Sequence, residues 1–414
     1  MAPVYDTGDT AWMIVSTALV LLMIPGLAIF YAGMVRSKHA LGMIMYTMSA
    51  LVAVSVTWVL VGFTLAFGPD TGAGLIGNLD HAGLEGLAAS PVFSQLTFPP
   101  IAFAMFQMMF AIVTGALITG AAADRMKFGA MLSFLALWSI GVYPVIAHWA
   151  WGQGGWMKDW GVLDFAGGTV VEISAGASAL ALALVLGPRR EWPQTPMLPH
   201  NLPLTILGAG LLWFGWIGFN AGSALSANGV AASAALATHL SGVGGIAGWL
   251  LLEKRLTGKP TALGAATGAV AGLVAITPAA AYLDPFASML LGFIAGGAAY
   301  FAIKLKFRFK YDDSLDVVAV HYVGGVVGML FLGFFARIIV GTGTRTAGLV
   351  NSGDATQLGK QAVAVVAASA FAFVASWIIA MALRAFVGLR VTPEGEEQGI
   401  DFHQHGETAY EIRH

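Results

Sequence analysis

Two ionisable side chains stand out because almost nothing around them is polar. Glu172 lies in GGTVVEISAG (167–176), inside an apolar run from Phe165 to Gly187, and His321 lies in DVVAVHYVGG (316–325). Carboxyl and imidazole groups exchange protons near neutral and mildly acidic pH. Buried in an apolar helix such a group costs roughly 2.5–3.5 kcal/mol, and it marks ion or proton pathways by default. Each is followed four residues later by a glycine, Gly176 and Gly325. The pattern reads as two proton-handling groups facing one passage. The plain alternatives are a protonated Glu172 carboxyl bonded to a neighbouring helix and a satisfied core histidine at His321.

Other polar and aromatic residues at such positions divide between structure and chemistry. Asp164 opens the Glu172 run in LDFAGG, where a carboxylate caps the free N–H groups of a helix start. Asp316 holds the same place before the His321 run, and a capping role is expected there too. His148 in AHWAWG has a structural reading at a membrane interface. Trp151, three residues on, fits either the aromatic belt or one wall of a cation-recruiting vestibule. Phe106 and Phe110 are one helical turn apart and share a helix face, for packing or for lining an axis.

These residues need elements to hold them, and composition says which. The chain has 414 residues, 57% hydrophobic and 10% charged, against about 25% charged in an ordinary soluble domain. That deficit excludes a soluble enzyme and points to an integral membrane protein. The absence of cysteine excludes disulfides, thiolate metal sites and cysteine nucleophiles. A net charge of −2 gives no sign of nucleic-acid binding. The acidic head of MAPVYDTGDTAWM carries no basic n-region, so a cleaved signal peptide is not expected.

A membrane span needs about 20 apolar residues. The charges delimit eleven: 11–33, 42–67, 98–122, 128–151, 165–187, 203–223, 229–251, 261–281, 285–303, 316–335 and 359–384. Basic clusters follow every odd span: Arg36/Lys38, Arg125/Lys127, Arg189/Arg190, Lys254/Arg255/Lys259, Lys304/Lys306/Arg308/Lys310 and Arg384/Arg390. The opposite loops hold only Lys158, Arg337, Arg345 and Lys360. The positive-inside rule therefore puts the N-terminus outside and the C-terminus in the cytoplasm. Ten of the eleven spans divide into two halves of opposite topology, an inverted repeat with its site at the interface of the halves. Span 5, with Glu172, is then the mate of span 10, with His321. Residues 1–387 form the membrane domain and 388–414 a polar tail, whose bare composition is that of a disordered extension.

Several segments together resemble the ammonium transporter family (Amt/Mep/Rh): GLAIFYAGMVRSK, AHWAWGQGG, DFAGGTVVEISAG, GWIGFNAGSALSAN, ITPAAAY, DVVAVHYVGGVVG and the tail GLRVTPEGEEQGIDFHQHGETAY. They span the chain in the family's order. The resemblance implies an all-α membrane fold of eleven helices with an inverted five-plus-five repeat, and transport rather than enzymatic activity without a cofactor. It further implies a homotrimer with one pore per subunit in the cell membrane, a tail folded on the cytoplasmic face, and a docking face for a PII-type regulator. By position, Phe106, Trp151 and Ser223 match the ammonium-recruiting vestibule, and Phe110 and Phe219 the paired rings that close the pore. Asp164 matches the aspartate supporting the recruitment site, and His321 the second histidine of the pore pair. Glu172 stands where most members have the first histidine, an arrangement that resembles a subset of fungal members.

The implied activity is inward movement of ammonium, with NH3 crossing and its proton relayed through Glu172 and His321, an electrogenic process. The alternatives are an electroneutral NH3 channel and an ammonium sensor of the same fold; methylammonium is a further candidate substrate. A metal centre of Glu172, His321 and His148 lacks HExxH-type spacing.

Overall fold

The computed structural model describes residues 5–337 and 347–410; Arg345, one of the few basic residues of the opposite loops, lies outside them. Among the described residues, ten helices are long and apolar enough to cross a membrane. They are α1 (Thr7–Met34), α2 (Ser37–Phe67), α3 (Pro100–Ala122), α4 (Phe128–Trp160), α5 (Gly168–Leu186), α6 (Leu202–Gly222) and α7 (Gly229–Thr257). A shorter apolar helix, α8 (Ala262–Ile276), precedes α9 (Pro285–Phe309), α10 (Val318–Phe335) and α11 (Thr356–Phe386). The protein is an all-α integral membrane protein. All backbone hydrogen bonds of a helix are internal, which is the condition for crossing lipid.

Local chemistry sets the helix starts. The Asp6 side chain accepts from Asp9 N–H at α1, Asn228 accepts from Val230 and Ala231 at α7, and Asp284 accepts from Ala287 at α9. Small residues then let the helices meet. In α7, a Cβ at Gly244 or Gly248 would stand 2.2 or 2.1 Å from the carbonyl oxygens of Met289 and Phe293 in α9. Only glycine permits that approach.

The eighth span departs from its expected bounds of 261–281. Helix α8 ends at Ile276, because Pro278 has no N–H with which to continue the helical ladder. The freed carbonyls are used elsewhere. Thr277 accepts from Ala166 N–H at 3.2 Å and Pro278 from Phe165 N–H at 3.1 Å. The break in α8 therefore braces the entrance to α5, the helix that carries Glu172.

Helix α5 is nearly wholly buried, lying against α10 and α11, whereas α11 faces outward along most of its length. On the basic side, buried ion pairs tie the loops together. Arg189 binds Asp312 through two hydrogen bonds of 2.9 Å and reaches Asp124 at 3.3 Å. Burial opposes the charge on Asp312, but the Arg189 hydrogen bonds and the Arg125 charge outweigh it and hold that carboxyl below the usual carboxylate range.

The tail is folded where composition alone suggests disorder. Helices α12 (Pro393–Gln398) and α13 (Ile400–His405) lie against the basic loops. Asp401 accepts from the N–H groups of Leu41 and Gly42 at 3.0 and 2.7 Å, satisfying the start of α2. Glu396 pairs with Arg390 at 2.7 Å and accepts from Arg190 N–H at 2.7 Å. Asp401 and Glu396 have partners far away in sequence, which composition cannot register.

Candidate functional site

The site begins with two irregular turns. Glu172 lies in a π-helical turn, Gly168–Ile173, and His321 in another, Val318–Tyr322. π-bulges occur frequently at functional positions because they re-aim side chains within a helix. Here both turns aim their ionisable groups at one another. The Glu172 Oε2 and His321 Nδ1 atoms are 2.7 Å apart. Both residues are buried, and among the described residues the second carboxylate oxygen, Oε1, has no hydrogen-bond partner. Sequence reasoning pairs these residues across 149 positions, and the fold brings them into contact.

The glycines noted in the sequence explain that contact. A Cβ at Gly325 would stand 2.9 Å from the Glu172 Cβ, and one at Gly176 would stand 2.5 Å from the Tyr322 nitrogen. Each ionisable turn thus rests on the glycine that follows the other. Close approach is the physical reason for the spacing.

Asp164 fixes the entrance to α5. Its Oδ1 accepts from Gly167 and Gly168 N–H at 2.8 and 2.6 Å, and its Oδ2 from Thr169 N–H at 2.7 Å and from the Thr169 hydroxyl. The capping reading holds for Asp164. For Asp316 it fails: Asp313 accepts from Val318 N–H at 2.7 Å, while Asp316 forms an ion pair with Lys306 at 2.7 Å. Asp316 sits at φ +61, which turns its side chain toward α9 instead of toward the helix start. Burial, then the Asp316 charge, push Asp313 up to about 6 against the pull of Lys306.

At the end opposite the basic loops, four aromatic residues form one assembly. The Phe110 and Phe219 rings stack with centroids 3.8 Å apart and planes inclined by 22°. Phe106 meets Phe110 edge-on at 4.8 Å, and Trp151 meets it edge-on at 6.0 Å. The Trp151 indole N–H donates to the Asp164 carbonyl at 2.9 Å, and the Ser223 hydroxyl donates to the Phe219 carbonyl at 2.9 Å. Phe106, Phe110 and Phe219 are fully buried, whereas Trp151 and Ser223 retain partial exposure. The Trp151 ring also reaches α5, where a Cβ at Gly167 would be 3.4 Å away. Glu172 N–H donates to the Gly167 carbonyl at 3.0 Å, so the carboxylate lies one turn deeper than the tryptophan contact. Phe106, Trp151, the stacked rings and the ionisable pair thus follow one another through shared contacts. His148 stands apart, bonded to the Ala66 carbonyl at 3.0 Å and to Asp70 at 3.1 Å.

The chain matches the model of the Ammonium Transporter Family over residues 11–410. It is 48% identical over 407 residues to an ammonium transporter of Bacillus subtilis, covering 98% of each chain. That decides the family. The chain belongs to the ammonium transporter family. It is also 43% identical over 405 residues to the ammonium transporter Amt1 of Archaeoglobus fulgidus, covering 97% of this chain and 99% of that one. Among solved structures, Mep2 of Saccharomyces cerevisiae superposes with a TM-score of 0.88 at 34% identity, covering 94% of this chain and 89% of that one. As a member of this family the protein is a membrane transport protein and not an enzyme, and it resides in the cell membrane.

Two features went beyond the sequence expectations. Gln361, in α11, accepts from Leu163 N–H at 2.9 Å and donates to the Leu163 carbonyl at 2.8 Å, fixing the backbone beside Asp164. Tyr31 donates to the Leu117 carbonyl at 3.0 Å. A glutamine within an apolar span is the one clue that the pattern offered and that the reading left unused.

Proposed function

We propose that the protein carries ammonium inward across the cell membrane as NH3 plus a separately relayed proton. The observation that carries this reading is the buried Glu172–His321 contact beyond a closed aromatic stack. Phe106 and Trp151 offer ring faces to the cation, an attraction of about 0.5–2 kcal/mol, and the Ser223 hydroxyl offers an oxygen. Phe110 and Phe219 leave no room for a hydrated ion. Ammonium passes this barrier by leaving its proton behind, which potassium, of similar radius, cannot do.

The released proton then needs acceptors inside the passage. Glu172 Oε1, without a hydrogen-bond partner among the described residues, can take it, and Oε2 shares a hydrogen bond with His321. Holding one proton between them, carboxyl and imidazole are neutral together; losing it leaves one negative charge. A His–His pair would cycle between neutral and positive, so glutamate shifts the passage by one negative charge. Coupling to the membrane potential then supplies about 2.3 kcal/mol per charge per 100 mV.

The same hydrogen bond supports a second reading, in which Glu172 only anchors His321 and NH3 crosses alone. An ammonium concentration jump across proteoliposomes separates the two. Inward current that scales with ammonium supports the relay, and uptake without current supports the electroneutral channel.

The wider architecture belongs to the same proposal. The N-terminus lies outside, the basic loops and tail lie in the cytoplasm, and α1–α5 and α6–α10 form an inverted pair with α11 added. Residues 1–387 act as the transport domain. The tail from 388 onward couples subunits of a homotrimer, and a PII-type protein docks on the cytoplasmic face. Methylammonium is accepted as a larger analogue.

A further inference from the structure

Helix α11 is the least buried of the ten long spans, and its buried stripe opens with two glutamines. Gln357 and Gln361 stand four residues apart and so share a face. Ala364, Ala368 and Ala372 continue that face with side chains that carry no polar group. An amide withdrawn from water is costly unless its polar atoms find partners. The Gln361 amide uses all of its capacity. Its Oε1 accepts from Leu163 N–H at 2.9 Å and from the Gln357 amide at 3.0 Å. Its Nε2 donates to the Leu163 carbonyl at 2.8 Å and to the Met329 carbonyl of α10 at 3.4 Å. One side chain thus grips both backbone groups of Leu163. Gln357 also donates to the Gly161 carbonyl at 3.2 Å, where the chain turns at φ +86.

The gripped segment, 161–164, joins α4 to α5 and has no helix of its own. Its last residue, Asp164, serves two neighbours with two different groups. The carboxylate caps α5, while the backbone carbonyl accepts the Trp151 indole N–H at 2.9 Å. The peptide unit joining Leu163 to Asp164 is planar, so holding the Leu163 carbonyl fixes the plane from which the Asp164 backbone sets out. Gln361 is therefore one residue away from the acceptor that orients Trp151. Among the described residues it has no hydrogen bond to Trp151, Glu172 or His321.

We infer that Gln361, oriented by Gln357, is a positioning residue for ammonium recruitment: it sets the affinity of the outer site by fixing the backbone that holds Trp151. The inference rests on the reading of Trp151 as a wall of the recruiting vestibule. Loosening the grip lets the indole turn from the approaching cation. It leaves the carboxylate cap of α5 and the deeper ionisable pair in place. The residue acts on the substrate dependence of transport and not on its maximal rate.

Uptake of isotope-labelled ammonium into proteoliposomes over a concentration series tests this, whether the crossing species is charged or neutral. Gln361→Leu is expected to raise KM on the order of tenfold, the scale of a lost cation–ring attraction, with a maximal rate within about twofold of the wild type. Gln357→Leu leaves the Leu163 bonds and removes their orienting partner. It should raise KM about threefold, the scale of one hydrogen bond, and carries the test where Gln361→Leu does not fold. The deciding background is Trp151→Phe, whose ring has no N–H for the Asp164 carbonyl. There Gln361→Leu should raise KM by less than about twofold, because the route through the indole is already cut. An equal rise in that background, an unchanged KM in the folded glutamine variants, or a fall in maximal rate at constant KM would each overturn the assignment. Trp151→Leu separates the two readings. A raised KM there with an unchanged KM in the glutamine variants overturns the positioning role alone. An unchanged KM there overturns recruitment by Trp151 and the positioning role with it.

Discussion

Gly325 and Glu172 lie so close that any side chain on the glycine would stand 2.9 Å from the Glu172 Cβ. Gly176 makes the matching approach to Tyr322, the neighbour of His321, where an added Cβ would stand 2.5 Å from backbone nitrogen. The hydrogen bond between carboxylate and imidazole depends on these two contacts. A site made of two side chains is therefore held by two residues that have none.

Gly176→Ala is expected to be the more damaging substitution, because rigid backbone cannot yield as a side chain can. Overpacking of this kind costs about 1–3 kcal/mol. Thermal unfolding in detergent should order the proteins as wild type, Gly325→Ala, Gly176→Ala, from most to least stable. Transport should fall in the same order.

Asp164 gathers three N–H groups and one hydroxyl at the start of α5. Asparagine keeps one acceptor oxygen but turns an NH2 group toward donors. The expected loss is about 1–3 kcal/mol of stability, with transport lost as α5 and the Trp151 contact shift. Asp164→Asn with wild-type unfolding temperature and wild-type uptake would contradict the capping role.

The stacked rings make a second separable claim. Phe110→Ala opens a cavity and is expected to cost about 3–5 kcal/mol of stability. It should also admit hydrated potassium, raising potassium current on the order of tenfold, which corresponds to about 1.4 kcal/mol of barrier. Phe219→Leu, which keeps an apolar side chain of similar bulk, should raise it less. Potassium current unchanged in a folded Phe110→Ala protein would remove the rings from the selectivity account.

Asp313 gives the pH dependence of stability a definite sign. Burial and the Asp316 charge raise its folded value to about 6 from the ordinary 3.8. The stability contribution of its proton is complete below the ordinary value and is lost as pH rises through about 6. Asp313→Asn retains an oxygen for Val318 N–H but cannot ionise. Its unfolding temperature should match the wild type near pH 4 and exceed it above pH 6, by an amount corresponding to about 2–3 kcal/mol or less. An equal offset at every pH would refute this. Asp312, held below the ordinary range, has the opposite sign: its contribution is present at neutral pH and is lost as pH falls through its lowered value.

The sequence made one part of this arrangement legible and hid another. Charge delimits spans because lipid penalises it everywhere else, so the helices and the isolation of Glu172 and His321 could be read from spacing. Asp164 was legible as a cap because caps are local. The end of α8 was not, since Pro278 sits inside an apolar run and its effect shows only once Phe165 and Ala166 bond to the freed carbonyls. The exchange of roles between Asp313 and Asp316 was hidden because Lys306 decides it from a different helix. The folded tail depended on Asp401 meeting the start of α2, a contact across 359 positions. Local chemistry was visible, and long-range partners were not.

The relay itself is tested most directly by electrical recording on proteoliposomes containing the wild type, Glu172→Gln or Glu172→His over a pH series. Glutamine keeps the shape and a hydrogen bond to His321 but cannot carry a proton, and ammonium current should fall on the order of 100-fold. Histidine restores a proton carrier of different charge, so current should return with a displaced pH profile. Identical currents and identical pH profiles in all three proteins would contradict a proton route through Glu172 and His321.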